Sequence, residues 1–266
     1  MSQQLPDLLA LDFDGVICDG LVEYFASTKR AYEQIWSESI DERLAPSFYR
    51  LRPVIETGWE MPILLRALVL GFDEAEILDD FGAIALQITM SEGLTKQEVV
   101  RTLDRVRDNW IEHNLDDWLG LHRFYPGVIQ RLKQILDSTV ELYIITTKEG
   151  RFVKQLLQRQ GIDLDEARII GKENKRPKYE TLRILRDEAS PTLRHQTPGK
   201  ELTIFFVEDR LKALQQVAQQ SDLKNVSLFL AAWGYNLEGD RYLAAQDGQI
   251  QLLSLEQFQH SFKLWF

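Results

Sequence analysis

Two hydrophobic rhythms divide the chain. Residues 7–12 hold a short continuous apolar run, LLAL, closed by an acid at each end, which reads as a buried strand. From Asp19 to about Arg123 strand-like runs almost vanish, and Leu, Ala, Glu, Arg and Gln recur at helical spacing. Examples are MPILLRALVLGF (61–72), EAEILDDFGAIALQI (74–88) and TKQEVVRTLDRVRDNWIEHN (95–114). Ser91 and Thr95 are predicted helix starts, because a hydroxyl there can accept an orphan amide of the first turn. After FYPGV (124–128) the rhythm changes. Pro126 suits a first helical position, and VIQRLKQIL follows as a helix. Short apolar strands (VELYIIT, ARIIG, LTIFFVE, NVSLFLAAW) then alternate with amphipathic segments (RFVKQLLQRQG, KYETLRILRDEA, RLKALQQVAQQ). Such alternation predicts a parallel sheet covered by helices on both faces. The polar stretch SPTLRHQTPGKE (190–201), with two prolines and a glycine, is predicted to be a surface loop. The fold class is therefore α/β: a Rossmann-like parallel-sheet core, residues 1–17 and 124–266, interrupted after its first strand by an all-helical domain, residues 18–123.

Composition narrows the partners. With 44% hydrophobic and 10% aromatic residues the 266-residue chain can bury a sizeable core. Its 31 basic and 41 acidic residues give a net charge of −10, which repels nucleic acid and anionic membrane surfaces. An anionic small molecule can still bind where a metal or a few lysines reverse the local potential. One cysteine, Cys18, excludes an internal disulfide and suits a reducing compartment. The start, MSQQLPD, lacks the pattern of a secretion signal, and no apolar run approaches the ~20 residues of a membrane helix. A cytoplasmic protein is expected, with no nucleic-acid or membrane partner and no particular oligomeric state. His113, His122, His195 and His260 lack metal-ligand spacing.

Ligands of open parallel sheets bind beyond the carboxyl ends of the strands. The first strand ends there in Asp12-Phe13-Asp14-Gly15, the strand LYIIT in Thr146, Thr147 and Lys148, and the strand TIFFV in Glu208-Asp209. Lys172, Lys175 and Lys178 lie in the segment GKENKRPKYETL between the last two. Carboxylates, a hydroxyl and a lysine thus converge on one sheet edge. Two acids one residue apart at the end of an apolar strand repel each other unless a cation sits between them.

In this order the motifs resemble those of the haloacid dehalogenase superfamily of phosphatases and phosphotransferases. Asp12-Phe13-Asp14-Gly15-Val16 is similar to its first motif, Thr146 to the second, Lys178 to the third and Glu208-Asp209 to the acidic fourth. FYPGVIQRLKQI resembles the segment where such proteins leave a helical cap inserted after the first motif. The resemblance implies a Mg²⁺-dependent phosphatase acting on a small phosphorylated metabolite, with phosphoglycolate phosphatases among its relatives. Asp12 would be the nucleophile that forms an aspartyl-phosphate. Alternate side chains of an extended segment share a face, so Asp14 can reach the same phosphoryl group as acid and then base. Gly15 would let the backbone turn beside the phosphate, Thr146 would donate a hydroxyl hydrogen bond, and Lys178 would supply positive charge. The implied metal set is Asp12, Asp14 and Asp209, with Glu208 beside it or substituting.

Alternatives stand beside these assignments. Thr147 rivals Thr146, and Lys172 and Lys175 rival Lys178, which is preferred because KYETL opens a helix. The fourth motif departs from the family pattern: Glu208 replaces a glycine and Ala213 fills the position of a further acid. Asp209 beside Arg210 could instead form a structural ion pair. In the cap, RLRPVIETGWEMP (50–62) breaks the helical rhythm at Pro53, Gly58 and Pro62. It is expected to face the active site, with Arg52 and Glu56 as candidate substrate contacts. A phosphomutase on the same scaffold and a catalytically weak binding or regulatory protein are the alternative functions.

Overall fold

A computed structural model describes residues 5–188 and 202–266. The loop predicted at 190–201 lies outside the described residues. The chain divides into two compact units, Met1–Asp19 with Phe124–Phe266, and Gly20–Arg123.

The first unit is built on a parallel sheet. Among the described residues its strands are β1 (Leu8–Leu11), β4 (Glu141–Ile145), β5 (Ile169–Ile170), β6 (Ile204–Glu208), β7 (Val226–Ala231) and β8 (Ile250–Leu253), ordered β5-β4-β1-β6-β7-β8. Two further short strands, β2 (Cys18–Asp19) and β3 (Arg123–Phe124), pair with each other. β1 is central and wholly buried, which is why its sequence is an unbroken apolar run. Leu11 is in register with Ile144 of β4 and Val207 of β6. The residues that follow, Asp12, Ile145 and Glu208, therefore leave the same sheet edge level with one another. Around the sheet lie α6 (Val128–Leu136), α7 (Gly150–Arg159), α8 (Lys178–Asp187), α9 (Leu211–Ala218), α10 (Glu238–Asp247) and α11 (Leu255–Gln259). The chain's last residues close one end of the core. Trp265 stacks on Phe258 with centroids 5.3 Å apart and meets Phe229 edge-on at 5.2 Å. Each such aromatic pair contributes about 0.5–1.5 kcal/mol beyond its buried area.

The second unit is all helical: α1 (Leu21–Trp36), α2 (Ala45–Leu51), α3 (Glu60–Leu70), α4 (Glu74–Ser91) and α5 (Lys96–Leu119), with two short 3-10 turns, Glu42–Leu44 and Arg52–Val54. α3 buries Met61, Ile63, Leu64, Leu65 and Ala67, and is apolar nearly all round because it is covered on most sides. Buried beneath the helices, Glu23 accepts hydrogen bonds from Ser27 Oγ (2.5 Å), Arg107 Nε (2.9 Å) and Trp118 Nε1 (3.0 Å). Among the described residues no helix is long and apolar enough to cross a membrane.

Of three local expectations, one holds and two change. Thr95 does cap α5, accepting the Glu98 amide while Glu98 reaches back. Ser91 starts nothing. It is the last residue of α4, its hydroxyl donating to the Ile88 carbonyl, a bond that lets a serine sit within a helix. Pro126 is not the first residue of α6 either. The helix begins at Val128 behind Gly127, whose φ of +74° makes the turn that a side chain would strain. β8, α10 and α11 complete the sheet and its cover beyond the last predicted strand.

Candidate active site

Asp12 follows β1 directly, and its amide donates to the Val207 carbonyl (2.9 Å), so the sheet ladder fixes its backbone. Glu208 closes β6 and Asp209 follows it; all three acids are buried. One carboxylate oxygen from each of Asp12, Glu208 and Asp209 lies within 4.8 Å of the other two. Lys178, the first residue of α8, extends its ammonium between two of them, 2.8 Å from Asp12 Oδ1 and 2.5 Å from Glu208 Oε2. Backbone donors hold the remainder. Glu208 Oε1 accepts the amides of Asp209 (3.1 Å) and Arg210 (3.0 Å), and Asp209 Oδ2 accepts that of Tyr235 (2.8 Å). Two glycines make room for Asp209. A Cβ on Gly15, whose φ is +89°, would stand 2.1 Å from Asp209 Oδ2, and one on Gly234 would stand 2.3 Å from Asp209 Cβ.

Electrostatics follow from this crowding. Burial, then the charge of Glu208, pushes Asp12 up to about 7 against the pull of Lys178. Burial raises Glu208 to about 7 as well, with Lys178 opposing and Asp209 adding to the rise. Asp209 is raised by burial and then by Asp12. Burial alone would lower Lys178; Asp12 and Glu208 more than reverse it and hold it charged. Three buried carboxylates stand against the Lys178 ammonium, with Arg210 drawing on Asp209, and leave carboxylate in surplus. A divalent cation cancels that surplus, and carboxylate oxygens are the ligands that Mg²⁺ takes. Asp12, Glu208 and Asp209 thus fit such an ion.

The other predicted residues take definite places. Asp14 turns to Lys148, whose ammonium is 3.2 Å from both carboxylate oxygens. Thr146 is buried at the end of β4, its hydroxyl accepting the Lys148 amide (3.1 Å), whereas Thr147 is exposed. Lys172 is exposed and pairs with Glu149 (3.0 Å); Lys175 is exposed with φ +50°. Of the three lysines, Lys178 is the one whose ammonium lies between Asp12 and Glu208. Arg210 donates to the Tyr235 carbonyl (2.9 Å). Arg52 and Glu56 belong to the helical unit. Arg52 donates to the Ile55 carbonyl (3.1 Å) and lies over the Tyr24 ring at 5.0 Å, while the Glu56 amide donates to Glu60 (2.7 Å). Sequence reasoning gave Lys148 no role. Its signal was its place directly after the strand-end Thr146-Thr147; its partner stands 134 residues away.

No protein-family model matches the sequence, and no curated protein sequence matches it. Solved structures do match in fold. A protein assigned as a phosphoglycolate phosphatase from Lactobacillus delbrueckii subsp. bulgaricus superposes with a TM-score of 0.59 at 14% identity, over 96% of this chain and 98% of its own. A protein assigned as a haloacid dehalogenase-like hydrolase from Bacteroides fragilis gives 0.58 at 14%, over 94% and 97%. A hydrolase of the haloacid dehalogenase-like family from Streptococcus pneumoniae gives 0.54 at 13%, over 96% and 95%. The chain therefore has the haloacid dehalogenase-like fold, an α/β core with an inserted helical unit.

Proposed function

We propose that the chain is a Mg²⁺-dependent phosphatase that hydrolyses a small phosphorylated metabolite through an aspartyl-phosphate on Asp12. The observation that carries this reading is the surplus of buried carboxylate around Lys178 at the carboxyl end of the central strands. The fold shared with proteins assigned as a phosphoglycolate phosphatase and as a haloacid dehalogenase-like hydrolase supports it.

In the first step an Asp12 carboxylate oxygen attacks phosphorus. The Asp12–phosphorus bond forms, the bond to the leaving oxygen breaks, and Asp14 gives that oxygen its proton. In the second, Asp14 takes a proton from water as the water oxygen attacks phosphorus. Inorganic phosphate leaves and the Asp12 carboxylate is restored. Thr146 and the Gly15 turn hold phosphoryl oxygens, and Lys178 offsets the charge gathering there. When bound at Asp12, Glu208 and Asp209, Mg²⁺ supplies further positive charge to the same oxygens. Asp12 bears the transferred group, so Asp12→Asn removes the step itself. The test is release of phosphate from p-nitrophenyl phosphate with Mg²⁺. Wild type is expected to turn over, and Asp12→Asn to lose roughly 10³-fold or more. Equal turnover by the two proteins refutes the reading. Phosphate release rather than isomer formation from a panel of sugar phosphates separates hydrolysis from mutase chemistry.

A further inference from the structure

We infer that Lys148 is a positioning residue for Asp14, holding its carboxylate in place beside the leaving oxygen during phosphoryl transfer. The inference rests on the phosphatase reading above. The charged groups at the sheet edge fall into two sets. Lys178 serves Asp12 and Glu208, whereas Lys148 is bound symmetrically, 3.2 Å from each oxygen of Asp14. Contact with both oxygens sets the ammonium squarely before the carboxylate and fixes its distance. Both side chains are largely covered, with 10% of Lys148 and 17% of Asp14 exposed, so water screens the pair weakly.

Each partner starts from a fixed backbone. The Lys148 amide donates to Thr146 Oγ1 (3.1 Å), and its carbonyl accepts the Lys172 amide (3.0 Å). Asp14 bridges to Cys18, and the amide of Gly15 beside it donates to the Cys18 carbonyl (2.8 Å). Asp14 serves the leaving oxygen only from one place, and the ammonium held against it fixes that place. The benefit depends on how much the leaving oxygen needs the proton. A poor leaving group should therefore sense Lys148, and a good one should not.

The experiment compares kcat/KM for phenyl phosphate and p-nitrophenyl phosphate in wild type, Lys148→Met, Lys148→Arg, Asp14→Asn and the double variant Asp14→Asn/Lys148→Met. The p-nitrophenolate departs without a proton, and kcat/KM reports the first transfer step. Lys148→Met should lose ~30-fold or more on phenyl phosphate and no more than ~3-fold on p-nitrophenyl phosphate, within the range that positioned proton transfer supplies. Lys148→Arg should recover most of the loss, and the double variant should be no slower than Asp14→Asn alone. Equal losses on both substrates, or a further loss in the Asp14→Asn background, would overturn the inference and make Lys148 a phosphate ligand or a structural residue. If Lys148→Met fails to fold, Lys148→Gln gives the same comparison. A wild type that releases phosphate from neither substrate with Mg²⁺ removes the phosphatase reading and this inference with it.

Discussion

Each unit buries acid, and the two do so in opposite ways. In the helical unit Glu23, 1% exposed, is met by donors and charge: Arg107 grips both oxygens at 2.9 and 3.2 Å, and Ser27 and Trp118 donate to it as well. In the sheet unit Asp12 and Glu208 share the Lys178 ammonium, and Asp209 lies against them. The first arrangement is closed, with attraction and hydrogen bonds offsetting the desolvation of a carboxylate. The second is open, and burial, with the neighbouring acids adding to it, pushes Asp12 and Glu208 up to about 7. Burial alone is therefore a poor mark of function; burial with an uncancelled charge at a strand end is a good one.

Substitutions should separate the two arrangements. The largest effect is expected from Asp209→Asn, which should lower phosphate release by roughly 10²–10³-fold or more, the scale on which loss of one preorganised charge is felt. It should leave the metal-free protein no less stable, because it removes a repelling charge. Glu23→Ala should do the reverse. Stranding the Arg107 charge should cost about 3–5 kcal/mol in denaturant unfolding, while turnover per folded molecule stays close to wild type. A stable Glu23→Ala protein, or an unfolded Asp209→Asn protein, breaks the contrast.

The pH dependence sharpens it further. Asp12 and Glu208 lie near 7 in the folded, metal-free protein and near 4 once unfolded. The folded state then holds their protons more tightly. The stability they contribute is complete below about pH 4 and is lost as the pH rises through 7. Without metal the melting temperature should fall across that window, less steeply in Asp12→Asn, and added Mg²⁺ should raise it most above pH 7. A wild-type profile no steeper than that of Asp12→Asn speaks against the crowding. The smallest effects are expected at exposed positions: Lys172→Ala and Lys175→Ala should stay within ~2-fold of wild type in kcat/KM, as surface charges do. Arg52→Ala and Glu56→Gln test the substrate contacts assigned to the helical unit. They should raise KM for the true metabolite and leave p-nitrophenyl phosphate turnover unchanged; unaltered kinetics on both substrates remove that assignment.

Much of the candidate site is legible in the sequence because strand ends are. An unbroken apolar run closed by acids says where a central strand stops, and parallel register then brings Asp12, Thr146 and Glu208 to one edge. What escapes is pairing by long side chains. Nothing in spacing relates Lys148 to Asp14 or Arg107 to Glu23, since each pair meets only through the fold. Local stops are also hard to read. Ser91 looks like a cap until its hydroxyl is seen bonding backward to Ile88, and Gly93, with φ +65°, makes the turn beyond it. β8 is a four-residue edge strand, IQLL, whose neighbours Asp247 and Gly248 give the only punctuation, too little for periodicity to register.

In the proposed phosphatase a divalent cation completes the open cluster. Titrating Mg²⁺ into the metal-free protein at pH 8 in a calorimeter tests it without any substrate. One site per chain is predicted in wild type, absent in Asp209→Asn and present in Glu23→Gln. No heat of binding in wild type, or binding that survives Asp209→Asn unchanged, would contradict the account.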